Sequence, residues 1–97
     1  MRYLIIRYFR KATQQLDESV SVARNIRDRD LQTAAVIVDF RRRSVIKSSF
    51  DGKVVPKDFD RIVSYYHGHY TALIDDLLKE NNLELRFAEP ENDTDRL

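Results

Sequence analysis

The sequence predicts an α+β domain of two layers: a four-stranded antiparallel meander with one long C-terminal helix across one face. Three observations carry that prediction. Four segments before residue 57 alternate or run apolar over strand lengths. One segment, residues 57–80, repeats its apolar residues at steps of three and four. Turn chemistry punctuates them: Asp51-Gly52, then Pro56 before the helix and Asn81-Asn82 after it. The 97 residues fit a single domain over 1–88, followed by an acidic segment, 89–97, too polar to pack and expected to be disordered.

The first strand, residues 2–10, is rich in Tyr, Ile and Phe, the residues that suit a pleated surface. Leu4, Ile6 and Tyr8 share one face, and Tyr3, Ile5, Arg7 and Phe9 share the other. Arg7 in the middle of the second set assigns the first set to the core. Residues 11–16 read as a polar connection. Residues 17–26 alternate as a second, edge or solvent-facing strand, with Val20, Val22 and Ile26 on one side. Arg27 to Asp30 alternates charge with no apolar residue and reads as a solvated loop.

Residues 32–40 form the strongest strand, apolar enough to be central. Ala34, Val36, Val38 and Phe40 are expected to face the core, with Ala35, Ile37 and Asp39 facing outward. Arg41-Arg42-Arg43 turns into a fourth strand over 44–50. Residues 83–87 alternate again, as a short fifth strand.

In the helix, Phe59, Ile62, Val63, Tyr66, Tyr70, Leu73, Ile74 and Leu77 fall within one stripe roughly 120° wide. Asp58 and Asp60 lie where the positive end of the helix dipole favours them. Ser64, Gly68, Thr71 and Ala72 make an uncharged opposite face. Gly68 there marks either a close approach by a second helix or a tolerated surface position. His67 and His69 are two apart and point about 200° away from each other on a helix, so they do not converge on one ion.

Charge is unevenly spread. Residues 1–57 carry 13 Lys/Arg against 6 Asp/Glu, and residues 58–97 carry 4 against 10, within a net charge of +1. There is no cysteine, so neither disulfides nor thiolate chemistry arise, and a reducing, cytoplasmic setting is expected. No apolar run approaches the ~20 residues of a membrane span. With only Gly52 and Gly68, no phosphate-binding glycine loop is present. No acid, base or nucleophile set has a spacing that carries a mechanism, and neither enzymatic activity nor a cofactor is expected.

One helix covers one sheet face. Tyr3, Ile5, Phe9 and Ile37 are therefore expected on an uncovered second face that a homodimer partner or another protein would seal. With Ser64, Gly68, Thr71 and Ala72, they form the expected protein interface of a non-enzymatic accessory or regulatory protein. The alternative is a single-stranded nucleic-acid binder. Tyr3 and Phe9 would stack bases, and Arg7, Arg41, Arg42 and Arg43 would neutralise phosphates. The run YLIIRYFRK, then DLQTAAVIVDF, then VVPKDFDRIVSYY resembles small proteins of tailed bacteriophages over about residues 1–80. That resemblance implies a binding role in the cytoplasm of an infected bacterium. It supplies no functional residues.

Overall fold

A computed structural model describes residues 1–48 and 58–84. The Asp51-Gly52 turn, the Pro56 helix start, the end of the fourth strand, residues 85–87 of the expected fifth strand and the acidic segment lie outside the described residues.

The chain is α+β, with a four-stranded antiparallel sheet and three helices among the described residues. The strands are β1 (Tyr3–Arg10), β2 (Leu16–Ala23), β3 (Val36–Asp39) and β4 (Ser44–Ser48). The helices are α1 (Asp28–Thr33), α2 (Phe59–His67) and α3 (Thr71–Glu80).

The sheet is not a meander. Its order is β2-β1-β3-β4, so β1 pairs with β2 on one edge and with β3 on the other. The chain leaves the outer strand β2 and passes through α1 to enter beyond β1. Ala35 N–H donates to the Ile6 carbonyl at 2.8 Å as it arrives. The turn from β3 to β4 is organised by Asp39. Its carboxylate accepts the Arg41 and Arg42 amides at 3.0 and 3.3 Å and takes the Arg2 guanidinium through two bonds of 2.8 and 2.9 Å. Arg43 then adopts φ 49°, closing the turn.

One sheet face carries the main core. Leu4, Ile6, Val36 and Val38 lie against Phe59, Ile62, Val63, Tyr66, Ile74 and Leu77, all buried. The apolar stripe therefore packs as its spacing predicts. The expected single long helix, however, is two. Gly68 ends α2, and Tyr70 stands at φ −133°, ψ 52°, outside the helical region. The His69 and Tyr70 amides both donate to the Tyr66 carbonyl at 2.9 Å, so the ladder is interrupted there. Thr71 Oγ1 donates to the His67 carbonyl at 2.7 Å, and the His67 ring bonds Asp75 at 2.9 Å across the junction. Glycine is a weak helix former, and a hydroxyl that bonds the preceding turn competes with the backbone ladder. Asn82, at φ 56°, ends α3 in the left-handed conformation that asparagine tolerates.

The second sheet face is covered in part by the chain itself, around Ile5 and Ile37. Ile5 and Ile37 are 2% and 0% exposed, packed with Ala34, Tyr3, Ala23 and Ile26. The expectation that these two isoleucines face outward is thus corrected. Its cause is the Arg27 to Asp30 run, which opens α1 instead of forming the expected solvated loop. Asp28 and Asp30 suit the positive end of a helix, and the Asp30 carboxylate accepts the Arg27 amide at 3.0 Å. Residues 31–33 belong to this helix rather than to β3. Because the strand starts later, Ala34 joins the α1 side and Ala35 the main core, the reverse of the alternation expected.

Candidate functional site

The face of β1 that bears Ile5 meets α1 through Arg7, which bonds Asp30 and Thr33. Toward β2 it stays open and forms a concavity of about 670 Å³. Ile5, Ser21 and Ala23 contribute strand residues to it, and Ile5 and Ser21 pair across β1 and β2. Four arginines line it: Arg7 from β1, Arg24 and Arg27 from the segment after β2, and Arg29 from α1. Its volume lies in the range of ligand-binding clefts.

Arg7 is fixed in place. Its Nη2 donates to Asp30 at 2.7 Å and its Nε to Thr33 Oγ1 at 3.0 Å, while Thr33 donates onward to the Arg29 carbonyl. Among the described residues, Asp30 is the one carboxylate lining the concavity. The Arg27 amide, above all, and the Arg7 guanidinium hold its carboxyl below the usual range, against the opposing effect of burial. With that negative charge engaged by Arg7, three exposed guanidiniums remain around the opening. Arginine forks suit carboxylate or phosphate oxygens, and repeated positive charge attracts a polyanion.

The positive surface continues. Arg24 and Asn25 also line an adjoining concavity of about 380 Å³ with Arg41, with Arg2, which Asp39 engages, and with Glu80, which the N-terminal amine engages. Arg41 of the sequence-derived set therefore joins the basic region, and Arg42 beside it is exposed. Arg43 does not join. It bonds Asp60 at 2.5 Å, and its guanidinium lies over the Phe59 ring at 5.0 Å. Tyr3 is partly buried with the Arg2 guanidinium 4.9 Å above its ring, which takes that face from any base. Phe9 is 46% exposed and keeps an open ring face near the tip of the β1–β2 hairpin.

The other expected interface residues are dispersed. Gly68, Thr71 and Ala72 are exposed at the α2–α3 junction, and Ser64 is half-buried with its hydroxyl unpartnered. Among the described residues, a Cβ on Gly68 would meet only the Tyr65 carbonyl, at 3.9 Å, so none of their helices presses there.

Arg24, Arg27 and Arg29 were not singled out in the sequence. Arg24 falls in the expected edge strand and Arg27 and Arg29 in the expected solvated loop, and only the folding of this segment over the sheet brings them to Arg7. No family model matches the chain, and neither the curated proteins nor the solved structures give a match.

Proposed function

We propose that the chain is a non-enzymatic binding protein whose ligand is a single-stranded nucleic acid, held along the concavity beside α1. The observation that carries this reading is four arginines around one opening whose one carboxylate among the described residues is already engaged. Arg7, Arg24, Arg27 and Arg29 meet phosphates, Arg41 extends the path, and Phe9 offers a ring for one unpaired base. No helix among the described residues is long and apolar enough to cross a membrane. The resemblance to small proteins of tailed bacteriophages supports a role in the cytoplasm of an infected bacterium.

The test is fluorescence anisotropy with short labelled DNA and RNA strands. Binding is expected at low salt. The slope of log affinity against log salt should be about −2 to −3, as for three to four phosphates on a single strand. Arg24→Glu with Arg27→Glu should abolish the signal. No binding of any strand at low salt removes the proposal.

A second reading, the homodimeric accessory protein, is favoured by Phe9, Leu16 and Tyr65, which are 46%, 39% and 43% exposed. Light scattering at micromolar concentration tests it. A dimer that Phe9→Glu or Tyr65→Glu dissociates supports it, and the mass of one chain excludes it.

A further inference from the structure

The break between α2 and α3 builds a second concavity, on the opposite side of the sheet from α1 and of opposite character. It measures about 300 Å³. One wall is aromatic: the rings of Tyr65, His69 and Tyr70, with centroids 5.8 and 6.2 Å apart in succession, at tilted angles. The other wall is the start of β2, Leu16 to Glu18, and the Glu18 carboxylate, bonded to Tyr70, faces the cleft. Tyr8 lies between them, its hydroxyl bonded to that of Tyr66 at 2.6 Å.

We propose that this cleft binds an arginine side chain presented by a partner protein. The inference goes beyond the nucleic-acid reading and does not depend on it. Guanidinium is flat, stacks on aromatic faces and pairs with carboxylates through two parallel bonds, so it matches a cleft with one wall of each kind. The cleft is also organised for a cation. The Tyr70 hydroxyl donates to Glu18 and so holds that carboxylate in position. Asp17 already takes one cation, Lys11 at 3.3 Å, with both side chains more than two-fifths exposed. An exposed pair of this kind is worth little and yields readily to a better-placed one. A continuous helix would stack Tyr65 and His69 on one face and carry Tyr70 farther round. The chain's turn at Gly68–Tyr70 instead sets all three opposite β2.

The test is a nuclear magnetic resonance titration of the isotope-labelled full chain, at about pH 8, above ordinary histidine titration. The probes are Gly-Arg-Gly, Gly-citrulline-Gly and tetramethylammonium chloride. Saturable shifts of the Glu18, Tyr65, His69 and Tyr70 amides are expected with the arginine peptide. The uncharged, nearly isosteric citrulline peptide should bind at least about tenfold more weakly, as for loss of a charge-assisted pair. Glu18→Gln keeps an acceptor for Tyr70 and should weaken arginine binding about fivefold or more. Tyr65→Ala, at an exposed ring, should do likewise. Equal binding of citrulline would mean an apolar groove, and tighter binding of tetramethylammonium would mean an alkylammonium cage. Either result overturns the proposal, as does the absence of saturable shifts with the arginine peptide.

Discussion

Arg7 on β1 and Asp30 on α1 are joined by a 2.7 Å ion pair, and the same carboxylate accepts the Arg27 amide that opens the helix. One side chain thus caps α1, ties it to the sheet and holds an arginine at the edge of the basic concavity. Asp30→Asn should loosen α1 without emptying the main core. The expected outcome is a lower urea midpoint and faster tryptic cleavage after Arg27 and Arg29. An unchanged midpoint and cleavage rate would mean that Ala34 and Ile26 hold the segment alone.

Asp39 supplies an acid-sensitive contribution to stability. The Arg2 guanidinium, and then the Arg41 and Arg42 amides, depress its pKa against the opposing effect of burial. A carboxylate with a depressed folded pKa stabilises above its unfolded value, near 4, and loses that stabilisation as pH falls through the folded value. The melting temperature should therefore hold from neutral pH to about 5 and decline below about 4. Asp39→Ala should cost about 3 kcal/mol at neutral pH. It should also flatten the acid decline, so that the two melting curves draw together at the lowest pH. Parallel pH profiles for the two proteins would contradict this account.

Ile37 and Phe9 distinguish the covered part of the second sheet face from its open part. Ile37 is 0% exposed, so Ile37→Ala should cost about 3 kcal/mol through lost burial and a residual cavity. Phe9→Ala should change stability by no more than about 0.5 kcal/mol. Urea unfolding of both variants checks the pair, and similar losses would mean that the face is not divided in this way.

Gly68 has helical dihedrals, φ −64° and ψ −23°, with room for a Cβ. Gly68→Ala should raise stability by about 0.5 kcal/mol by narrowing the unfolded ensemble. It should leave α2 and α3 separate, because Tyr70 and Thr71 also interrupt the ladder. Calorimetry reports the first effect. Amide shifts at His69 and Tyr70 report the second.

Much of this fold was legible in the residues. The alternation of Leu4 and Ile6 with Tyr3 and Ile5 placed the main core correctly, and the Phe59-to-Leu77 spacing found its cover. Strand order was not legible, because alternation fixes which face a residue takes and not which strand lies beside it. The α1 helix was hidden by its brevity: six residues are too few for a periodic apolar stripe, and Leu31 within it is 43% exposed. That one omission left Ile5 and Ile37 seeming to need a partner. It also kept Arg27 and Arg29 out of the candidate site. The break at Gly68–Tyr70 escaped for a different reason. The stripe resumes in phase beyond it, so apolar spacing alone cannot register the interruption.

β1 lies in the middle of the sheet although it comes first among the strands. Its amides bond on both edges, to partners drawn from residues 16–23 and 36–39. Deuterium should enter the outer strands β2 and β4 through small, local openings, whereas the β1–β3 seam should label only when the whole domain comes apart. The chain thus has a slow-labelling spine flanked by looser margins. The arginine-lined opening lies toward one of those margins, where backbone adjustment to a ligand disturbs the spine least.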